Sequence, residues 1–322
     1  MRRKTTARLS VGLLDQFVSS GSNFVITLVA ARTLSPTDFG SFSVAVVLAM
    51  STVGLCRALC SEAILVRPGD EPDTRVERVV ALISSAWCVG LVASAAFAAT
   101  AALSSGTLSR CVVVVAVLIP FVLLQDTLRL VGFAHGRPQE ALASDVVWVV
   151  AMVAGYVVVH LRGPSAPLLL VAWMASGALA GILHAAHRRV RPHLSQGFQW
   201  VLRHRDLSGP YALTFVSTQG SGYVSSLLLA ASAGVAEAGA VRGAIALYGP
   251  INVLFGGAYA TLVPEGRRVA ETAPRRPQTA SISSSSNSPA RTAKSNIGTT
   301  GGGTAMTWRD MTRCNWTSIS RR

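Results

Sequence analysis

Eight side chains carrying a charge or an amide stand inside stretches otherwise built from aliphatic and small residues: Asp15, Asn23, Arg57, Asp126, Arg129, Asp145, Gln219 and Asn252. In hydrocarbon such a group costs several kcal/mol unless it reaches water, an interface or a partner, so those that stay buried tend to line cavities and pathways. Arg57 ends an apolar run just before Leu59 and Cys60, and two readings are open for it. It can snorkel to the interface, or face a cavity where its planar donor fork would grip a pyrophosphate-bearing headgroup. Asp15 reads either as an interfacial acid or as a charge partner or coupling acid. Asp126 and Arg129 are three residues apart and can share one helix face, which reads as a structural or coupling ion pair between them, with a substrate role as the alternative. Asn23 and Gln219 are candidates for polar cavity lining, while Gln219 and Asn252 can equally join helices by hydrogen bonds. The candidate substrate-binding set is therefore Asp15, Asn23, Arg57, Gln219 and Asn252.

No enzyme motif accompanies these groups. Cys56 and Cys60 have helical i,i+4 spacing, but two thiols without nearby His or acid ligands make a poor zinc site, and His184 and His187 read as interfacial residues of a basic segment. No glycine-rich nucleotide loop with its Lys and Ser or Thr occurs, so no ATPase is expected. Neither a metal nor a cofactor is called for, and transport, if it takes place, would be passive or driven by an ion gradient whose ion stays open.

The elements that must hold these residues are long and apolar. Half of the chain is hydrophobic and 14% is charged, with a mean hydropathy of +0.45, whereas a water-soluble domain carries about 25% charge. Candidate spans fall near 10–33, 41–60, 79–103, 111–131, 143–161, 167–186, 209–231 and 243–263, lengths that suit the roughly 20 residues a helix needs to cross hydrocarbon. This predicts an all-α polytopic bundle of about eight transmembrane helices.

Lys and Arg alternate across these spans. Fifteen lie at the N-terminus and around the even-numbered connections, against four, Arg32, Arg110, Arg162 and Arg242, in the others. Positive charge is retained on the cytoplasmic side, which predicts a multi-pass protein of the cytoplasmic membrane with both termini inside. The net charge of +14 then reflects topology and proximity to anionic lipid, and no nucleic-acid partner is expected. The first apolar segment is longer than a signal-peptide core and is interrupted by Asp15, Ser19, Ser20 and Asn23, so it reads as a retained span.

An internal repeat runs through the chain. Phe17-Val18-Ser19 recurs as Phe215-Val216-Ser217, and Asp38-Phe39-Gly40 is answered by Glu237-Ala238-Gly239, at nearly constant offset. Six spans fit within one period, which predicts parallel repeats related about the membrane normal. The expected domains are a six-helix lobe at 8–190, the first two helices of a second lobe at 205–268, and a tail at 272–322.

Leu34-Ser35-Pro36-Thr37-Asp38-Phe39-Gly40, followed by Glu62-Ala63-Ile64-Leu65-Val66-Arg67, resembles the start of polysaccharide exporters of the multidrug, oligosaccharidyl-lipid and polysaccharide superfamily. Gly249-Pro250-Ile251-Asn252-Val253-Leu254-Phe255 and Leu262-Val263-Pro264-Glu265 resemble the eighth-helix region of actinobacterial members. The resemblance covers about residues 8–270. It implies a flippase of 12 to 14 helices in two lobes, moving lipid-linked oligosaccharide or polysaccharide precursors across the cytoplasmic membrane by alternating access. Its implied partners are membrane lipids, lipid-linked glycans and polysaccharide assembly enzymes. A different class also fits, a membrane scaffold or assembly partner without transport of its own.

After residue 271 the apolar 20-mers give way to a serine run at 281–285 and a Thr/Gly stretch at 299–304, which predicts a disordered tail. A reading-frame change near residue 270, a gene-model error or genuine domain loss would each give so abrupt a shift, the first being favoured over a regulated extension, and the second lobe would then be short and flipping impaired.

Overall fold

The computed structural model describes residues 2–62, 72–135 and 137–248, without the side chains of 2–13, Gln16, Ser19, 72–76 and Leu247. All belong to the first of two compact units, Met1–Glu271. The expected tail at 272–322, Asn252, and most of the eighth span at 243–263 lie outside the described residues.

Every described element is helical: α1 Arg2–Thr33, α2 Pro36–Cys56, α3 Pro72–Leu103, α4 Gly106–Ala134, α5 Pro138–Arg162, α6 Ala166–Arg188, α7 Leu194–Arg203, α8 Arg205–Phe215, α9 Ser221–Ser232 and α10 Val235–Leu247. A π-helical turn at Arg57–Ser61 extends α2, and another at Val216–Gly220 runs α8 into α9. Five helices are long and apolar enough to cross a membrane, Pro36–Ser61, Glu77–Leu103, Gly106–Ala134, Pro138–Arg162 and Ala166–Arg188, in place of the second to sixth expected spans. The first expected span is the 32-residue α1, and the seventh is the run from α8 to α9. Neither is among those five. The short helix α7 stands where the sequence suggested only a basic connection.

Local chemistry places the starts and stops. Ser35 caps α2: its hydroxyl accepts the Asp38 amide at 3.2 Å and donates to the Asp38 carboxylate at 3.0 Å. Pro36 occupies the first helical position, where its missing N–H costs nothing. At the far end of the bundle, α6 stops at Arg189, the one described non-glycine residue with positive φ, 52°. The turn from α5 to α6 is tight because Gly163 adopts φ 94°, a conformation open to glycine at no steric cost.

Helix α4 is the central post. It packs on α3 and α6, and also on α2 and α5. Its apolar face, with Ile119, Leu123 and Leu128, meets Phe42 of α2, Leu82 and Ile83 of α3, and Trp173 of α6 in one core. Close approach is bought by glycine: a Cβ on Gly181 of α6 would lie 2.9 Å from the Phe121 carbonyl oxygen of α4. The outside is also apolar, Val92 being 72% and Leu161 79% exposed, which is expected of helices whose surroundings are hydrocarbon. Accordingly 72% of the apolar window of α2 is buried inside the bundle, but 22% of that of α5.

Helix α10 lies along α2. The contact is made by the two glycines that the repeat aligns: a Cβ on Gly239 would sit 2.7 Å from the Gly40 Cα, and one on Gly40 would collide with the Val235 carbonyl.

Candidate functional site

Inside the bundle α4 gathers three polar side chains within little more than one turn, Gln125, Asp126 and Arg129, all buried. A helix built this way must find partners on its neighbours. On one flank Asp126 receives Arg57 from the π-helical turn after α2, Nε to Oδ2 at 2.7 Å and Nη2 to Oδ1 at 2.5 Å, the parallel two-bond geometry that suits guanidinium to carboxylate. On the other flank Arg129 donates from Nε and Nη2 to Oδ2 of Asp15 on α1, at 3.1 and 2.5 Å. Its Nε also lies 3.2 Å from Oδ2 of Asp145 on α5. Gln125 Nε2 closes the chain, donating to Asp145 Oδ1 at 3.0 Å and to the Ser144 hydroxyl at 3.2 Å.

This corrects one sequence expectation. Asp126 and Arg129 pair with residues of other helices, not with each other. The reason is charge economy: an i,i+3 pair would leave Arg57, Asp15 and Asp145 without counter-charges in a low-dielectric interior, whereas pairing across helices neutralises more of them. Arg57 has two of its three nitrogens committed to Asp126, and its side chain remains 39% exposed.

The cluster holds three carboxylates and two guanidiniums. Two oxygens show the surplus: Asp15 Oδ1 and Asp145 Oδ2 are buried and accept no hydrogen bond. The side chains of Asp15 and Asp145 are 1% and 3% exposed, so bulk water does not reach them.

The amide candidates lie elsewhere. Asn23 is half-buried on α1, its backbone carbonyl accepting the Thr27 hydroxyl at 2.8 Å. Gln219 is exposed within the π-helical turn between α8 and α9. Arg57 and Gln219 thus both fall in π-helical turns, irregularities frequent at functional sites. Gln125 and Ser144 were absent from the sequence-derived candidates. The available signal was that each immediately precedes an intramembrane aspartate.

No group of three or more His, Cys, Asp or Glu side chains able to hold a metal occurs among the described residues. At the end of the bundle Arg188, in the last turn of α6, pairs with Glu140, in the first turn of α5, which lies 3.4 Å from Arg137. Glu140 and Arg188 each sit at the helix end whose dipole favours the charge.

Fold and site together define an all-α, multi-pass membrane architecture with a buried ionic cluster. No protein-family model and no curated protein matches the chain. Among solved structures, the inward-facing conformation of a multidrug resistance MATE family transporter of the MOP superfamily superposes with a TM-score of 0.46 at 14% identity, over 82% of this chain and 63% of that one. The chain therefore spans less than two thirds of that transporter's length.

Proposed function

We propose that this chain is a transporter that moves lipid-linked oligosaccharide or polysaccharide precursors across the cytoplasmic membrane by alternating access. In this reading residues 8–190 are one six-helix lobe and 205–268 begin a second, making eight spans in all. The observation that carries it is the ionic cluster of Asp15, Arg57, Asp126, Arg129 and Asp145, drawn from α1, α4, α5 and the turn after α2. Five ionisable groups at membrane depth are costly for a protein that needs only to sit in a bilayer, and such groups concentrate along substrate and ion pathways. The surplus carboxylate would take the coupling proton or cation. Arg57, partly exposed, would exchange Asp126 for the phosphate oxygens of a headgroup.

The test is reconstitution into vesicles with a fluorescent lipid-linked oligosaccharide, following the fraction accessible to an external quencher. Transport above protein-free vesicles is expected, with loss in Arg57→Ala. Normal transport and headgroup binding by Arg57→Ala would remove Arg57 from the reading, and no transport by folded protein would remove the reading itself. A non-transporting membrane scaffold has one observation in its favour, the closed middle of the bundle, where Phe42, Ile119 and Trp173 leave at most 1% of their surface exposed.

A further inference from the structure

Helix α7 has three faces. Gly197 and Trp200 turn inward and are buried. A Cβ on Gly197 would come within 2.8 Å of Cys88 Sγ, and the Trp200 indole N–H donates to the Cys60 carbonyl at 3.1 Å. The His193 amide donates to the Ser84 hydroxyl at 2.7 Å, and just beyond the helix the Ser208 hydroxyl donates to the Leu59 carbonyl at 2.6 Å. Those two carbonyls belong to the π-helical turn that extends α2. The helix is therefore anchored at the level where α2 ends.

Its other two faces are unlike each other. Leu194, Phe198 and Leu202 are 56%, 68% and 51% exposed, and their i, i+4, i+8 spacing makes one stripe along the helix. At 100° per residue Gln196, Gln199 and Arg203 centre about 130° away from that stripe. This polar face, with Glu77 and Arg78 at the start of the α3 span, lines a cavity of about 470 Å³ walled by Trp200. Two guanidiniums and two carboxamides make it rich in donors, against the single carboxylate of Glu77. Around the helix, 189–205 carries Arg189, Arg191, Arg203 and Arg205 and no acid.

We propose that α7 is an interfacial anchor that seats the phosphate of an anionic phospholipid between Arg78 and Arg203 while Leu194, Phe198 and Leu202 enter the acyl region of the same leaflet. The occupant follows from position and charge. The helix is fixed at the end of membrane-crossing α2 and α3, where the neighbouring surface is a bilayer. Its exposed stripe is apolar, its opposite face donates hydrogen bonds, and its flanks are cationic, the pattern of a helix lying in the headgroup boundary. Guanidinium forks recognise phosphate oxygens. The inference concerns lipid recognition alone and stands whatever the cargo.

The test uses the full chain in vesicles of phosphatidylcholine alone or with phosphatidylglycerol at one part in three, extracted gently and weighed intact by native mass spectrometry. Phosphatidylglycerol should be retained in preference to phosphatidylcholine. Arg78→Gln/Arg203→Gln should lower that preference by roughly 25-fold, taking about fivefold per arginine at a membrane surface. Arg110→Gln/Arg162→Gln, which removes equal charge beyond the other ends of the spans, should leave it unchanged. Spin labels at Phe198→Cys and Gln199→Cys should be reached by oxygen and by an aqueous nickel complex respectively. Equal retention of the two lipids, wild-type preference in Arg78→Gln/Arg203→Gln, an equal loss in Arg110→Gln/Arg162→Gln, displacement of the lipid by millimolar inorganic phosphate, or a nickel-accessible label at 198 would each overturn the proposal. The labels report on α7 even if the double arginine variant fails to fold.

Discussion

Arg129→Met and Asp145→Asn should differ sharply in cost although both remove one charge from the same cluster. Arg129 is the only cation touching Asp15 and Asp145 among the described residues, and those side chains are 1% and 3% exposed. Deleting it strands two buried carboxylates, and breaking a buried ion pair from one side costs about 3–5 kcal/mol. Asp145→Asn instead brings the cluster from three carboxylates and two guanidiniums to two of each. The asparagine oxygen can still accept from Gln125 Nε2, now 3.0 Å from Asp145 Oδ1, so the net change should stay within about 1 kcal/mol. Equilibrium unfolding in mixed micelles of mild detergent and dodecyl sulfate, followed by far-ultraviolet dichroism, reads both. Adding Asp15→Asn to Arg129→Met should recover part of the loss, because one stranded charge is gone. An Arg129→Met protein within about 1 kcal/mol of wild type, or an Asp145→Asn protein as damaged as Arg129→Met, would show that the cluster is not electrostatically coupled as described.

Gly181→Leu should cost about 1–3 kcal/mol in the same unfolding measurement, since its Cβ alone would press on the Phe121 carbonyl at 2.9 Å and on Gln125 at 3.0 Å; no loss would mean that α4 and α6 are farther apart. Trp200→Phe keeps the ring but removes the donor to the Cys60 carbonyl, so it should cost about 1 kcal/mol and speed amide exchange in α7, and unchanged exchange would argue against the anchor. Single cysteines at Gly163 and Ser195, in a background without reactive thiols, should differ in intact cells, with 163 modified by an impermeant reagent and 195 protected. The reverse pattern would invert the topology, and labelling of both would remove a membrane-crossing α6.

The five apolar spans were legible in the sequence because length and hydropathy are local properties: each helix must match the hydrocarbon thickness whatever its neighbours do. Helix α7 was legible in principle, since Leu194, Phe198 and Leu202 recur every four residues, but a ten-residue stripe inside a basic segment also reads as a connection. Partnership was a different matter. Spacing alone offered Arg129 to Asp126 three residues away, yet the structure brings it to Asp15 and Asp145, 114 and 16 positions distant, and gives Asp126 to Arg57. Local sequence determines what a helix must hide, and only the packing of α1, α2, α4 and α5 around one another decides with whom it is hidden, because a buried charge is satisfied by the nearest counter-charge in space and not along the chain.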